Sequence, residues 1–397
     1  MKDIMSIKKR LEQKSAINGK AGVAIMSDML NDEKIRNLVI KHYNSITCEN
    51  EMKPEIILGD VPVFSVDTEG SICLDENGDP VLTLDFSKAD KIMDFIKKHN
   101  EKNPDDTIRV RGHVLVWHSQ TPDWFFREKY DSQGAYVGKE KMLKRLENYI
   151  QKVIEHYDGV NSPYRGIIYA WDVVNEQIEP DDFHPEKNPG SVRYTCNNKN
   201  TGWYNIFQGD ISYITQSFVF ANRYAPKDIK LFYNDYNTYF GVKDTLNLVE
   251  FINKGETAKI CGGIGMQSHV DVKVPTVAEY GSALEQFLAA GYEIQITELD
   301  FTINFDTEGT NASYAYTPEH ETDADQAKFV KKLMQTIITK QKNRNQSVNP
   351  KGITGITLWG LCDATSWRSQ CAPLLFDTSI YDPKLSYTAF LEAAKIW

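Results

Sequence analysis

The sequence predicts a single-domain α/β protein with a (β/α)8 barrel, also called a TIM barrel, and three observations support this fold class. First, eight short apolar or β-branched runs alternate with amphipathic stretches that have helical spacing. Second, the runs are apolar throughout, which is typical of parallel strands buried on both faces. Third, two of the runs lead to the glutamates Glu176 and Glu298, as expected at the mouth of a barrel.

The predicted elements follow in order along the chain. The strands end in polar turns and span Ala21–Ile25, Ser45–Cys48, Ile108–Trp117, Gly166–Asn175, Lys230–Asn234, Gly263–Ser268, Glu293–Thr297 and Gly355–Trp359. The helices have apolar residues three and four positions apart and span Lys88–His99, Lys139–Tyr157, Ile211–Tyr224, Lys243–Asn253, Thr276–Ala290 and Ala324–Lys342. The alternative is a doubly wound sheet, but no Gly-rich phosphate fingerprint follows the first strand.

We expect residues 1–397 to form one domain with extended βα loops, because barrels with insertions commonly exceed about 250 residues. No Pro- or Ser-rich linker divides the chain. Three long loops span Val61–Thr83, Asp181–Thr201 and Asn304–Asp323. The first is expected to form a β-hairpin. The other two follow the fourth and seventh strands, where they either shape the active-site cleft or are tolerated surface insertions.

Composition and charge indicate a soluble protein with a neutral ligand. The net charge of −10 disfavours nucleic acid and anionic membranes as partners, and no obligate protein partner is evident. Met1–Lys14 lacks the apolar stretch of a signal peptide, so we expect a cytoplasmic protein unless a leader was removed. The six cysteines have no CxxC spacing, and we expect most of them to be reduced and buried.

Polar and aromatic residues cluster at the ends of seven of the eight predicted strands. From the second strand to the eighth, and including Tyr236 after the fifth, they are Glu49, Asn50, Lys53, His113, Trp117, His118, Gln120, Asn175, Glu176, Tyr236, Gln267, His269, Glu298, Asp300, Trp359 and Trp367. Each residue alone has a structural explanation, such as a core tryptophan or a solvated lysine. Burying the whole set without purpose costs desolvation energy, so we interpret it as one active site.

Paired glutamates with amides and indoles favour carbohydrate chemistry. Glycosidic cleavage needs one carboxylic acid to protonate the leaving oxygen and one carboxylate at the anomeric carbon. Two other interpretations stay open. One is a carbohydrate-binding protein without turnover, and the other is a metal-dependent hydrolase with the ligands His113, His118, Asp235, His269 and Glu298.

Seven ordered segments resemble family 10 of the glycoside hydrolases, the endo-1,4-β-xylanases, and the resemblance covers nearly the whole chain. They are Thr47–Pro54, Arg111–Gln120, Trp171–Glu176, Phe232–Asn237, Gly265–His269, Ile296–Asp300 and Thr357–Gly360. The resemblance implies a retaining enzyme that hydrolyses internal β-1,4-xylosidic bonds of xylan or xylo-oligosaccharides through a covalent glycosyl-enzyme. It implies no cofactor and no metal.

The resemblance also implies roles for individual residues. Glu176 is implied to be the general acid/base and Glu298 the nucleophile, with carboxyl groups about 5–5.5 Å apart. His269 and Asp300 are implied to hold Glu298 ionised, whereas burial and the charge of Glu298 are expected to raise the pKa of Glu176. Asn175 is implied to contact the 2-hydroxyl of the reacting sugar.

By the same resemblance, the other residues line the sugar subsites. Tyr236 is implied to stack beneath the first leaving-side sugar, and His118 to support the acid/base. Trp359 and Trp367 are implied to exclude the hydroxymethyl group of glucose. The non-reducing side is implied to contain Glu49, Asn50, Lys53, His113, Trp117, Gln120, Gln267, Trp359 and Trp367. The chain departs from the family pattern at Pro54, where many relatives carry tryptophan, and in the length of two loops.

Overall fold

Eight parallel strands close into a barrel in the computed structural model, which describes residues 4–14, 17, 19–76, 78–179, 192–193, 195–197, 199–304, 321–378 and 382–393. The barrel strands are β1 (Lys20–Ile25), β2 (Ser45–Cys48), β3 (Arg109–Trp117), β4 (Ile168–Asn175), β5 (Lys230–Asp235), β6 (Gly263–Met266), β7 (Glu293–Thr302) and β8 (Ile353–Leu358). Each strand pairs in parallel with the next, and β8 pairs with β1. The predicted barrel is confirmed, and the doubly wound alternative is wrong.

All six predicted helices are present with small differences at their ends. The described α-helices are Ile7–Lys14, Glu33–His42, Pro54–Leu58, Ser87–Lys102, Lys139–Asp158, Gly202–Phe207, Ser212–Tyr224, Val242–Ile252, Val277–Ala289, Asp323–Asn343 and Leu385–Ala393. Pro54, the departure from the family pattern, occupies the first position of its helix, where the fixed φ of proline fits. Capping boxes at Thr276 and Thr322 explain the starts of two long helices.

Strand β7 is longer than the sequence predicts, and this corrects the position of two site residues. The prediction ends the strand at Thr297, but the structure continues it to Thr302. The register against β8 shifts along the way, and beyond the shift the strand pairs with a short strand at His269–Asp271. Glu298 and Asp300 therefore lie within β7 and not after it, and Asp300 pairs directly with His269.

A buried cation occupies the barrel interior on the amino-terminal side of the strand ends. Arg111 is 1% exposed and donates to Asp172 and, at 2.9 Å, to Gln295 Oε1. Its guanidinium lies 4.9 Å from the centroid of the Phe232 ring. His113 Nδ1 is 3.0 Å from the same Asp172 oxygen. Because the buried charge is paired and hydrogen-bonded, the barrel tolerates it, and the pairing fixes the imidazole of His113.

The loop after β2 forms three paired limbs rather than one hairpin. The Cys73 amide donates to Ser65 O at 2.9 Å, the Val81 amide to Cys73 O at 2.9 Å, and the Ser65 amide to Val81 O at 2.8 Å. Asp79, which is 2% exposed, accepts two hydrogen bonds from Arg145 of the helix Lys139–Asp158. The hairpin prediction captures the antiparallel pairing but misses the third limb, which contains Val81. The buried ion pair between Asp79 and Arg145 ties this limb to the helix Lys139–Asp158.

The two other long loops and the cysteines are only partly covered by the structure. Residues 181–191, 194 and 198 of one loop and 305–320 of the other lie outside the described residues. All six cysteines are free thiols, of which Cys73 and Cys196 are partly exposed. Among the described residues, no helix has both the length and the apolar composition needed to cross a membrane.

The close packing of β3 against β4 can be tested at Gly112. A Cβ added there would lie 2.3 Å from the Trp171 ring, which is fully buried. We expect Gly112→Ala to lower the free energy of unfolding by about 1–3 kcal/mol, because overpacking forces the indole or the strand to shift. Urea unfolding followed by circular dichroism measures this.

Gly262→Ala is the matched control, because a Cβ added at Gly262 meets no heavy atom within 4 Å. Equal unfolding midpoints for the two variants would contradict the packing described here.

Candidate active site

Glu176 is the first residue after β4, and two side chains fix its carboxylate. Trp117 Nε1 donates to Oε2 at 2.8 Å, and Gln267 Nε2 donates to Oε1 at 2.7 Å. The backbone of Glu176 has a φ of 56°, which few residues other than glycine adopt, and its amide donates to Asn234 O at 2.9 Å. Unusual backbone conformations of this kind are held in place by their surroundings and cluster at functional sites.

Glu298, near the end of β7, is almost fully buried and has a donor on each oxygen. Oε1 accepts a hydrogen bond from Asn234 Nδ2 at 2.8 Å, and Oε2 accepts one from His269 Nε2 at 3.1 Å. The Glu298 amide donates to Gln267 O at 2.9 Å, which ties β7 to the end of β6. The carboxylate is therefore fixed in position and orientation before any ligand arrives.

His269 links Glu298 to a second buried carboxylate. Its Nδ1 lies 2.8 Å from Asp300 Oδ2, and Asp300 has no exposed surface. Both ring nitrogens therefore face carboxylate oxygens, which is the arrangement of an imidazolium that donates twice. Asp300 Oδ2 also accepts a hydrogen bond from Trp367 Nε1 at 3.0 Å, and Arg368 Nη1 lies 3.5 Å from Oδ1. These contacts place a cation directly beside Glu298.

Electrostatics in this cluster favour an ionised Glu298. Burial by itself would raise the pKa of Glu298, but the hydrogen bond from His269 and the nearby His113 outweigh it and lower the pKa to about 2. Burial likewise opposes the charge on His269, but Asp300 and Glu298 prevail and raise the pKa of His269 to about 9. At neutral pH the pair is a carboxylate beside an imidazolium, and the ionised Glu298 is what the family resemblance implies.

Electrostatics act in the opposite direction at Glu176. Burial is the largest cause and raises the pKa of this carboxyl. Arg193 and the hydrogen bond from Gln267 lower it, whereas the negative charges of Glu298 and Asp235 add to the increase. The net pKa lies above that of an ordinary glutamate. This direction and its two expected causes, burial and Glu298, agree with the expectation from sequence.

Three amides connect the two glutamates. Asn234 Nδ2 donates to Glu298 and, at 2.9 Å, to Asn175 Oδ1. Gln267 Nε2 donates to Glu176 and also lies 3.3 Å from Asn175 Oδ1. Because the Asn175 oxygen accepts both bonds, the orientation of its amide is fixed, and its Nδ2 is the group that can donate to a ligand.

The predicted non-reducing side forms a second cluster around one cation. Lys53 is 8% exposed, and its Nζ lies 2.8 Å from Asn50 Oδ1, 3.1 Å from Gln120 Oε1 and 5.1 Å from the centroid of the Trp117 ring. Burial lowers the pKa of Lys53, and the negative charges of Glu298, Glu49 and Glu176 oppose that change. Neutral acceptors and nearby carboxylates thus hold the ammonium at the edge of the site.

Glu49 is also part of this cluster. Burial is the main cause that raises its pKa to about 7, against the opposing charge of Lys53. A carboxyl group that is partly protonated near neutral pH can both donate and accept hydrogen bonds, which suits a sugar hydroxyl.

Two tryptophans after β8 lie against the histidines of the site. The Trp359 ring is 5.5 Å from His113 and 6.3 Å from His269, and only 6% of this residue is exposed. The Trp367 ring is 4.9 Å from His269 and is 38% exposed. Both rings therefore lie beside the histidine that hydrogen-bonds Glu298, and Trp367 also donates its indole N–H to Asp300.

His118 and Tyr236 lie on the Glu176 side without contacting its carboxylate. His118 hydrogen-bonds the backbone of Glu176, and burial together with Arg193 lowers the pKa of His118 to about 3. A neutral His118 thus supports the backbone that carries Glu176. Tyr236 is partly buried and packs against Arg193, whose guanidinium lies 4.0 Å from the ring centroid.

Sequence reasoning does not select two residues that the structure places in the site. Asn234 ends the predicted fifth strand and is the last residue but one of β5. Its role as the link between Asn175 and Glu298 depends on pairing across β4, β5 and β7. Arg193 lies in the loop after β4, where no periodic pattern indicates which residue folds back. The predicted strand-end residues otherwise gather at the carboxyl-terminal end of the barrel.

The comparisons with known proteins agree with this geometry. The model of glycosyl hydrolase family 10 matches residues 9–393. The chain belongs to this family. A family 10 relative, the endo-1,4-beta-xylanase A of Butyrivibrio fibrisolvens, is 33% identical over 380 residues, which cover 92% of this chain and 80% of that protein.

Two further comparisons extend the family 10 match. The bifunctional endo-1,4-beta-xylanase of Ruminococcus flavefaciens is 35% identical over 356 residues, which cover 89% of this chain but only 31% of that protein. A crystal structure of two modules of an endo-1,4-beta-D-xylanase from Clostridium thermocellum, complexed with xylohexaose, is also similar to this chain. The two structures compare with a TM-score of 0.76 and 31% sequence identity. That match covers 97% of this chain and 67% of the other. The prediction that residues 1–397 form one domain stays a prediction.

The structure does not assemble the five residues of the metal-site interpretation. In the part of the chain that the structure describes, no group of three or more His, Cys, Asp and Glu side chains is placed to hold a metal ion. Asp235 instead pairs with Arg193 at 2.6 Å, and His269 bridges Glu298 and Asp300. Among the described residues, these carboxylates are therefore paired with Arg193 and His269.

The electrostatic role of His269 can be measured without a substrate. We expect His269→Asn to raise the pKa of Glu298 by about 1–2 units, because the variant removes a positive charge at hydrogen-bond distance. Titration of ¹³C-labelled glutamate carboxyls by NMR measures the shift, with Glu298→Gln to assign the resonance. His156→Asn, outside the site, is the control. An unchanged Glu298 pKa in His269→Asn would contradict the electrostatic account.

Proposed function

We propose that the protein is a retaining endo-1,4-β-xylanase that hydrolyses xylan or xylo-oligosaccharides by double displacement. The observation that carries the proposal is the pair of carboxyl groups with opposite pKa shifts, Glu176 raised and Glu298 lowered to about 2. Retaining hydrolysis needs one protonated and one ionised carboxyl on either side of a glycosidic bond. The endo-1,4-beta-xylanases among the family 10 relatives support the choice of substrate.

In the first step, a carboxylate oxygen of Glu298 attacks the anomeric carbon while Glu176 donates its proton to the leaving oxygen. The glycosidic C–O bond breaks, a C–O bond to Glu298 forms, and the shortened sugar chain departs as a neutral alcohol. Asn234 and His269 hold the attacking carboxylate in place. Prearranged groups of this kind spare the enzyme the reorganisation that water would require.

In the second step, Glu176 acts as the base. Forming the glycosyl-enzyme consumes the negative charge of Glu298, which removes one cause of the raised Glu176 pKa. Glu176 then accepts a proton from a water molecule as the water oxygen attacks the anomeric carbon. The bond to Glu298 breaks, its carboxylate is restored, and two inversions give net retention. This sequence requires the carboxyl groups to lie about 5–5.5 Å apart.

The surroundings of the two glutamates suit a neutral sugar chain. The Asn175 amide is oriented so that its Nδ2 can donate to the 2-hydroxyl of the reacting sugar, since its oxygen already accepts two bonds. Lys53, Asn50, Gln120 and Glu49 supply donors and acceptors for hydroxyls of the preceding sugar. We infer that Trp359 and Trp367 form the wall that leaves no room for a hydroxymethyl group.

The substrate assignment is tested with xylohexaose and cellohexaose in parallel, with products followed by chromatography. We expect internal cleavage of xylohexaose and little turnover of cellohexaose. Glu298→Ala should lower kcat by about 10⁴-fold or more, because the covalent route is lost. Glu250→Ala, an exposed helical glutamate, is the matched control. Cleavage of neither sugar, or full activity of Glu298→Ala, would overturn the proposal.

The stereochemical assignment is tested separately by following the anomeric signals of the first product by NMR. We expect the β-anomer to appear before mutarotation, since double displacement retains configuration. Glu176→Ala should lower kcat/KM for xylohexaose by about 10²–10⁴-fold, because the leaving sugar is no longer protonated. With an aryl xylobioside whose leaving group needs no protonation, azide should raise the turnover of this variant by attacking the glycosyl-enzyme and forming a β-glycosyl azide in place of the water product. Initial formation of the α-anomer would show an inverting mechanism.

A further inference from the structure

Arg193 joins the loop after β4 to the residues beside Glu176. Its amide donates to Gln177 O at 2.8 Å, and the neighbouring Val192 forms an antiparallel bridge with Ile178. Val192 and Arg193 are therefore paired with Ile178 and Gln177, which directly follow Glu176. This pairing fixes where the Arg193 side chain begins.

The Arg193 side chain then reaches across to the end of β5. Nη1 donates to Asp235 Oδ1 at 2.6 Å, and Nε lies 3.5 Å from an oxygen of Glu179. The guanidinium covers the ring of Tyr236 at 4.0 Å, and only 4% of the arginine side chain is exposed. A planar, delocalised cation can stack on a ring and bond a carboxylate at the same time, which lysine cannot do.

Asp235 depends on this cation. It is 2% exposed, and besides Arg193 it accepts hydrogen bonds from the Tyr233 hydroxyl and, at 2.8 Å, from the Tyr236 amide. Tyr233 in turn accepts a hydrogen bond from the Gln177 amide at 3.1 Å. A buried carboxylate without its cation would be strongly unfavourable, so Arg193 compensates a negative charge that would otherwise act on the site.

Several charged and titratable groups surround Glu176, and Arg193 is the one whose loss changes their balance most. Glu298 and Asp235 repel a negative Glu176, whereas Arg193 and Lys53 attract it. These groups come from the strand ends and from the loop after β4, and each acts on Glu176 or shares a contact with it. They are Arg193, Lys53, Glu298, Asp235, Tyr236 and His118. Removing Arg193 both deletes an attraction and leaves Asp235 unpaired.

We propose that Arg193 is a positioning residue of the acid/base, which ties the segment after Glu176 to Asp235 and Tyr236 and balances the negative charges around the Glu176 carboxyl. The inference rests on the proposed function, in which Glu176 first gives and then takes a proton. Such a group works best when its protonation equilibrium lies near the working pH. Burial together with Glu298 and Asp235 pushes that equilibrium upward, and Arg193 restrains it.

The test compares the wild type with Arg193→Met and Arg193→Lys. Methionine keeps much of the side-chain volume without the charge, and lysine keeps the charge without the planar fork. We expect the pKa of Glu176, measured by NMR of ¹³C-labelled glutamate, to rise by about 1 unit or more in Arg193→Met and by less in Arg193→Lys. In a plot of kcat/KM for xylohexaose against pH, the alkaline limb should move to higher pH by the same amounts. The reason is that Glu176 must be protonated to act as the acid.

Arg165→Met is the matched control, since Arg165 is exposed and precedes β4 at the opposite end of the barrel. An Arg193→Met variant that is less stable to heat but has the Glu176 pKa and alkaline limb of the control would overturn the proposal. If Arg193→Met does not fold, Arg193→Met/Asp235→Asn replaces it, because that pair leaves no buried charge unpaired. A smaller rise of the Glu176 pKa is then expected, and no rise overturns the proposal.

The two proposals fail in distinguishable ways. A wild-type protein that cleaves neither xylohexaose nor cellohexaose contradicts the proposed function, but the NMR titration still reports whether Arg193 controls the protonation of Glu176. Conversely, an active wild type with an unchanged Glu176 pKa in the Arg193 variants contradicts only the role of Arg193.

Discussion

The imidazolium of His269, held between Glu298 and Asp300, is the interaction on which the rest of the site depends. A buried carboxylate with two hydrogen-bond donors and an adjacent cation stays ionised where burial alone would protonate it. That arrangement requires β7 to continue to Thr302, because only the extension places Asp300 opposite His269. The extension of β7 beyond its register shift thus places the residues that keep Glu298 ionised, and Trp367 adds a further donor to the same Asp300 oxygen.

The contrast between the two glutamates follows from their partners and not from their depth alone. Both lie against uncharged amides, but among the described residues a cation lies at hydrogen-bond distance from Glu298 and none from Glu176. Glu176 receives its hydrogen bonds from Trp117 and Gln267, which position an acid without forcing it to ionise. The negative Glu298 then acts on Glu176 through space, so one carboxyl helps to set the protonation state of the other.

Strand periodicity predicted most of the fold because barrel strands are buried on both faces and their apolar runs are easily recognised. The positions of Glu176 and Asn175 followed directly, since β4 ends where its apolar run ends. Glu298 was found, but its place within β7 was not, because polar residues after Thr297 conceal a strand that continues through an irregular register. Arg193 was not found, because a loop residue that folds back onto a strand end leaves no periodic trace.

This difference between strands and loops has a consequence for how the proposed reaction is controlled. Glu298 and its partners His269, Asp300 and Asn234 all lie on strands or directly beside them, where barrel pairing fixes their spacing. Glu176 instead shares its surroundings with Arg193, which a loop carries. Loops accept changes of length and sequence that barrel strands do not. The proposed nucleophile is therefore fixed by the fold itself, whereas the proposed role of Arg193 would let the loop after β4 adjust the protonation of Glu176 without altering the barrel.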